Sequence, residues 1–401
     1  ARLRARAGES RFWAKIVALV VRRPIVWGAA AAALLVALAI PAFSLHTVSA
    51  GMQGLPAGMR VEQVYNRVQQ AFPGGAVPEM VVISAANVDS PRIVSAVAAL
   101  ERAALATRQM YEPITVGVSA SRRAARVSIP LAGTGTNAAS ISALALLRGR
   151  VIPATIARVP GVRVDTSGLA GQTVDFNATM KSHAVYVFAF VLGFAFVLLL
   201  LAFRSIVIPL TAIILNLLSV GAAYGVLVLI FQQGRFQSLL SYTSVGGVIN
   251  WLPLFLFVIL FGLSMDYHVF ILSRVREAHE RGMGSADAVA HGIETTAGVI
   301  TSAAAVMIAV FAIFATLDEI IFKMVGVGLA AAILIDATVV RAVLVPATMR
   351  LLGERNWYLP RWLEWLPHIA IEPPPPVGAS APEVPSRRSR ARRRPAAAAG
   401  R

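Results

Sequence analysis

The sequence predicts an α-helical membrane protein with one inserted α+β domain, and three observations predict it. Hydrophobic residues make up 57% of the 401-residue chain and charged residues only 14%, against about 45–50% and about 25% in soluble chains. Six apolar stretches reach the roughly 20 residues a helix needs to cross a bilayer core of about 30 Å. Between the first two stretches, residues 46–181 are of mixed polarity and long enough for a globular domain. These features exclude a disordered chain, a secreted disulfide scaffold and an ordinary cytosolic enzyme. With no cysteine, disulfides, thiolate nucleophiles, cysteine–zinc sites and iron–sulfur clusters are excluded too. The net charge of +17 is almost all arginine, since lysine occurs only at Lys15, Lys181 and Lys323.

Residues 1–23 form a basic segment with Arg2, Arg4, Arg6, Arg11, Lys15, Arg22 and Arg23. The first transmembrane helix is expected within residues 24–45, as Pro24 to Phe43. The others, in a five-helix bundle over residues 182–350, are His183 to Phe203, Ile206 to Phe231, Leu252 to Ser273, Ile293 to Ala315 and Phe322 to Ala342. The fifth span is rich in Ala, Thr and Ser but carries no charge from Val299 to Phe314. Arginines in the short loops set the orientation. The N-terminal segment, Arg204, then Arg274, Arg276 and Arg281, then Arg350 and Arg355 all fall on one side, the cytoplasm of a multi-pass plasma-membrane protein. Both termini are therefore expected in the cytoplasm. The opposite short loops carry Arg235 alone, or Asp318 and Glu319; Lys323 is the exception and can snorkel. A cleaved signal peptide is the alternative for residues 1–45, with "IPAFS" as a faint cleavage site, but the apolar run is long for a signal core.

The inserted domain is expected outside the cytoplasm, where a long translocated segment escapes the charge rule. It opens with a Gly/Pro loop, "GMQGLPAGM", and an amphipathic helix around Val61–Phe72. "PEMVVISA" reads as a strand, and a helix capped by Ser90 with Pro91 in its first turn follows. "YEPITVGVS" and "RRAARVSIPL" read as two more strands. Residues 137–158 read as helical with a break at Pro153, and "GVRVDTSG" closes as a strand. The order βαββαβ is that of a ferredoxin-like sandwich. Residues 351–401 include "NWYLPRWLEWLP", starting at Asn356, whose Trp357, Tyr358, Trp362 and Trp365 suit the membrane interface. The tail beyond lacks apolar periodicity and is expected to be disordered. Its cluster Arg387, Arg388, Arg390, Arg392, Arg393 and Arg394 either touches anionic membrane lipids or is a solvated retention tail. It accompanies no folded nucleic-acid reader, so nucleic acid is not an expected partner.

Ionisable residues inside spans are costly and mark function. Asp266, Tyr267 and His268 sit just past the middle of span four, and Asp336, with Arg341 beyond it, lies in span six. Counted from the same ends of their spans, Asp266 and Asp336 fall at the same depth. A central Asp costs roughly 2.5–3.5 kcal/mol, similar to the about 2.3 kcal/mol a proton releases in crossing 100 mV. A carboxyl there can therefore be worked by a proton gradient. Asp266 and Tyr267 point about 100° apart, so each needs a partner elsewhere. Gly262, Asp266 and Ser273 make a stripe of small and polar residues that a facing helix can approach. A pseudo-symmetric partner with its own Asp and Tyr would satisfy both; the alternative is that Asp266 ties helices together structurally. Asp336 and Arg341, about 140° apart on an α-helix, are expected to contact neighbouring helices rather than each other; alternatively Arg341 snorkels. His268, Thr301, Ser302 and Asn216 are candidate extensions of a hydrogen-bond chain, or packed polar groups. No phosphate loop, nucleophile elbow or zinc-spaced histidine pair occurs, so neither an enzyme nor a bound cofactor is expected; an ion gradient is the expected energy source.

Several segments resemble the MmpL family of resistance-nodulation-division (RND) transporters, specifically its C-terminal half. These are "FGLSMDYHVFILSRVRE", "GVITSAAAVMIAVFAIFAT", "GVGLAAAILIDATVVRAVLVPATMRLLG", "AFRSIVIPLTAIILNLLSVGAAYGVLVLIFQ" and "NWYLPRW". The likeness covers roughly residues 10 to 366. It implies a six-helix RND repeat with a porter-type domain outside, driven by protons and exporting lipids or other hydrophobic compounds. It also implies that Asp266 and Tyr267 are half of a proton-relay centre, with Asp336 and Arg341 as further sensitive positions. Two features depart from the family. His268 stands where an acidic residue is expected, and the chain shows one repeat where members carry two. Either an N-terminal repeat is missing, which a first residue other than Met favours, or two copies pair. Other functions open to this helical unit are a non-transporting lipid sensor or scaffold of the sterol-sensing kind, and a proton-coupled auxiliary factor of protein export.

Overall fold

The computed structural model describes residues 11–49, 51, 59–72 and 78–366. Arg2, Arg4 and Arg6, most of the Gly/Pro loop and the arginine cluster of the tail lie outside the described residues.

The chain enters through an amphipathic helix, α1 (Arg11–Arg22), whose Val17 and Val20 are buried. Helix α2 (Pro24–Ala39) starts with Pro24, whose missing N–H costs nothing in a first turn. A short strand, β1 (Thr47–Val48), and the amphipathic α3 (Arg60–Ala71) lead into the α+β domain. There β2 (Glu79–Ser84), α4 (Pro91–Ala106), β3 (Thr115–Val118), β4 (Ala124–Ile129), α5 (Ala138–Leu146) and β5 (Arg163–Ser167) follow in order. The four strands form one antiparallel sheet in the order β3-β4-β2-β5. Alternation in β2 turns Val81 and Ile83 inward. Against them α4 lays Ile93, Val97, Leu100 and Ala104, spaced four, three and four, which is one helical face. Ser90 and Pro91 hold the expected first positions of α4, but the Ser90 hydroxyl makes no capping bond. The interruption expected at Pro153 spreads over more residues: α5 widens at Leu147–Val151 and breaks at Thr155 (φ −124°, ψ −98°).

Helix α6 (Leu169–Phe203) leaves the sheet directly after β5 and runs 35 residues without a break, about 50 Å at 1.5 Å per residue. The boundary expected at residues 181/182 therefore falls inside one continuous helix. Arg204, left-handed at φ 49°, ends it and donates to the carbonyls of Glu364, at 2.9 Å, and Leu366. Then come α7 (Val207–Leu227), the short α8 (Gln237–Leu240) and strand β6 (Val248–Ile249). Helices α9 (Leu252–Glu280), α10 (Ser285–Phe314) and α11 (Ile320–Ile335) follow. A stretch of wider turns, Asp336–Leu344, then leads to α12 (Val345–Leu352).

Among the described residues, seven helices are long and apolar enough to cross a membrane. Six cover the expected spans, short only of Ile206 and Ala315 at two span ends. The seventh, Ala138–Arg158, buries Leu144, Leu147, Val151 and Ile156 in the core of the α+β domain. Lys323 does not snorkel: it is buried, and its Nζ donates to the Leu240 carbonyl at 2.6 Å, where the loop before α9 folds over the start of α11.

Domain and bundle meet where β1 pairs in parallel with β6. Asn250 is the centre of this junction. Its N–H donates to Val48 (2.9 Å), and its side-chain amide donates to Asn177 Oδ1 on α6 (2.8 Å) and to Ser49 Oγ (3.2 Å). Asn250, two residues before α9, thus ties together the exit of α2, the first third of α6 and the entry of α9. Asn250→Ala should lower the melting stability of the whole chain by about 1–2 kcal/mol, with limited proteolysis opening first near residues 45–51 and 241–251. A melt identical to the wild type would show that the junction is held by β1–β6 pairing alone.

Candidate functional site

Helix α9 is apolar nearly all round, so burial separates its faces. Leu256, Phe257, Leu260, Phe261, Ser264, His268, Ile271 and Leu272 point into the bundle. Asp266 lies about 200° round from Ser264 and is exposed, on the same open side as Gly262, where an added methyl would meet nothing within 4 Å among the described residues. Tyr267, between the two faces, is half-buried.

Facing this helix is the departure from regular geometry that decides the site. From Asp336 to Leu344 the backbone closes its turns five residues back; the Val345 N–H, for example, reaches the Val340 carbonyl. Such turns place residues i and i+5 on one face, which an α-helix does not. The intrahelical pair that α-helical geometry argued against therefore forms: Arg341 Nη2 lies 2.5 Å from Asp336 Oδ2, and both residues are buried. Nor does Arg341 snorkel. Its Nη2 also donates to the Ser264 carbonyl at 3.3 Å, and its guanidinium carbon stands 4.2 Å from the centre of the Tyr267 ring, in cation–π range. The Tyr267 hydroxyl points to Met307 Sδ, 3.4 Å away on α10.

Asp336 Oδ1 and Arg341 Nε and Nη1 have no hydrogen-bond partner among the described residues. They border a cavity of about 20 Å³ lined also by Asn216, Ser219, Ser264 and Tyr267, large enough for a single water. The result is a buried acid and base joined by a short bond, with a phenol against the base and hydroxyl and amide groups on the cavity wall.

The structure thus brings Tyr267, Asp336 and Arg341 together and leaves Asp266 outside. His268 is fully inside the bundle. Its Nδ1 is 3.1 Å from the Ser264 carbonyl, which only accepts, so in the neutral ring Nδ1 carries the proton and Nε2 is an acceptor. His268 also lines a second small cavity with Thr211, Leu215, Thr348 and Asn356. The Thr301 and Ser302 hydroxyls are spent on their own helix, on the carbonyls of Ala297 (2.7 Å) and Val299 (2.9 Å). Ser302 faces away from the site, while Thr301 borders a third cavity, with Trp13, on another side of Arg341. Asn216 donates weakly to the Phe261 carbonyl at 3.5 Å. Ser264, Ser219 and Met307 were not candidates from the sequence. Ser264 was findable, since it precedes Tyr267 by three and His268 by four residues and so shares their side of α9.

The chain matches the MMPL family over residues 53–375. It is 35% identical to the mycolic acid-containing lipids exporter MmpL11 of Mycolicibacterium smegmatis, across 93% of this chain and 39% of that protein. It is 33% identical to the heme uptake protein MmpL11 of Mycobacterium tuberculosis, across 92% and 38%. With the trehalose monomycolate exporter MmpL3 of Mycobacterium tuberculosis the identity is 30%, across 88% and 38%. The chain therefore spans about two-fifths of the length of these curated relatives. A family match over most of its residues, on membrane-length helices, settles the classification: the chain belongs to the MMPL family.

Proposed function

We propose that this chain is one repeat, the C-terminal half, of a proton-motive-force-driven exporter of lipids or other hydrophobic compounds, acting by transport rather than catalysis and without a bound cofactor. The observation that carries this reading is the Asp336–Arg341 pair, buried against Tyr267 among membrane-length helices. A proton arriving on Asp336 cancels its charge and leaves Arg341, among the described residues, the Ser264 carbonyl and the Tyr267 ring. A proton departing restores the pair. The wide turns of residues 336–344 give the helix a second backbone register to fall into, so each protonation state favours its own helix geometry. Asp266, on the open small-residue face, then supplies the contact to a second repeat, on the same polypeptide or on another copy.

The strand order β3-β4-β2-β5 with two helices on one face supports reading the α+β domain as a ferredoxin-like, porter-type module. We place it outside the cytoplasm with both termini inside, on the arginine distribution of the short loops. The lipid and heme cargoes named for the relatives support an amphiphilic substrate here.

The test is the full-length protein in liposomes under an imposed pH gradient. Asp266→Asn and Asp336→Asn should each remove gradient-dependent movement of a lipid substrate while leaving the protein folded. Unchanged transport in both variants would remove the relay; lipid binding with no proton flux in the wild type would identify a sensor instead.

A further inference from the structure

A second buried ionisable cluster lies far from the bundle site, at the joint where α6 leaves the sheet. Glu79 occupies an inward position of β2, in phase with Val81 and Ile83, and is 1% exposed. Its Oε2 accepts from the Gly171 N–H at 3.3 Å, in the first turn of α6, and its Oε1 has no hydrogen-bond partner among the described residues. The carboxylate fits only because two residues of α6 and its cap lack side chains. A methyl group at Gly168 would come within 2.3 Å of Oε2, and one at Gly171 within 2.5 Å of Oε1.

The charged groups facing Glu79 are Arg148, beyond α5, and Asp175, on α6. Its direct neighbour on β4 is Ile129, and the nearby polar group of β5 is Thr166. Arg148 is committed elsewhere. It holds Asp175 with two bonds, at 2.7 and 3.0 Å, and Thr166 Oγ1 with a third, at 2.7 Å. It therefore stands close to Glu79 without bonding to it: the same methyl at Gly171 would lie 2.9 Å from Arg148 Nη2.

We propose that Glu79 is a proton-operated latch on the joint between the α+β domain and α6, closed when the carboxyl is protonated and loosened when it is ionised. A buried carboxylate with one unsatisfied oxygen is the costly state, and ionisation can be relieved in two ways. Arg148 can turn from Asp175 to Glu79, or the first turn of α6 can part from β2 and admit solvent. Either motion shifts the start of a helix that continues unbroken for 35 residues. Burial pushes the Glu79 carboxyl above the usual range, outweighing the Gly171 N–H and Arg148, which pull it down; Asp175 adds a further push upward. A raised value in the closed joint means that the closed form is stabilised at low pH and loses that stabilisation as pH rises through the raised value.

Amide hydrogen exchange of the full chain in lipid nanodiscs, between about pH 4 and pH 8 and corrected for the intrinsic chemical rate, reads the latch. In the wild type, exchange at residues 169–173 should be slow at the acid end and speed up several-fold as the pH rises through a transition, because the closed joint holds the proton more tightly than the open one. Glu79→Gln, nearly the same shape and never charged, should hold the slow rate throughout. Asp175→Asn frees Arg148 to pair with Glu79 and should move the transition to lower pH; the Asp175 side chain is 63% exposed, so this variant folds whatever Glu79→Gln does. The same pH profile in the wild type and Glu79→Gln, or no downward movement in Asp175→Asn, overturns the latch.

Discussion

Arg341→Met, with Asp336 left in place, is expected to destabilise the bundle by about 3–5 kcal/mol, the usual cost of stranding one partner of a buried ion pair. Among the described residues, Asp336 would keep a carboxylate with one oxygen already without a partner and lose the Arg341 donor to the other. Asp336→Leu strands the guanidinium in the same way, leaving it the Ser264 carbonyl and the Tyr267 ring. The double variant Asp336→Leu/Arg341→Met removes both charges at once. By the same reasoning it should recover most of the loss and can even exceed the wild type, because neither ion then has to be desolvated. Reversible unfolding of the four proteins in one detergent gives the coupling energy directly. Additive losses would mean that the two side chains act separately. A stable double variant that no longer responds to a gradient would separate the role of the pair in function from any role in holding the fold.

That pair also marks the limit of what the sequence makes legible. Composition, hydropathy and short-loop arginines are sums over many residues, and such sums survive local irregularity, so the membrane-length helices could be read directly. The strands and helices of the α+β domain were legible for the same reason, their patterns repeating with period 2 or 3.6. The relation of Asp336 to Arg341 depends instead on one backbone register. Nothing in "DATVVRAVL" announces turns that close five residues back, and α-helical arithmetic put the two side chains on different faces. Asp266 and Tyr267 illustrate another limit. Their spacing showed that they diverge, but which of them enters this bundle depends on the packing of α9 against α7, α10 and α11. Glu79 was in plain view, an acid in the inward phase of an apolar strand, yet its meaning rests on two glycines and an arginine far along the chain.

Gly225→Ala should cost about 3 kcal/mol or more, although alanine is the better helix former by about 1 kcal/mol. A methyl group there would sit 1.6 Å from the Leu38 carbonyl oxygen and 2.8 Å from its carbon, both backbone atoms of α2 that no rotamer change can move aside. Helices α2 and α7 would have to separate, giving up the close packing and Cα–H···O contacts that small residues permit between membrane helices. Gly221, one turn earlier on the same helix, gives the control. Its added methyl would meet Ala39 Cβ at 3.4 Å, an ordinary contact, so Gly221→Ala should stay within about 0.5 kcal/mol of the wild type. Gly262→Ala on the open face of α9 meets nothing among the described residues and should keep or slightly raise stability. The three glycines carry the same propensity change, so any ordering of their melts comes from contact alone. Equal melting of Gly225→Ala and Gly221→Ala would refute the close crossing of α2 and α7. Because α7 also carries Asn216 and Ser219 on the wall of the Asp336 cavity, a displaced α7 should weaken proton coupling even in conditions where the Gly225 variant remains folded.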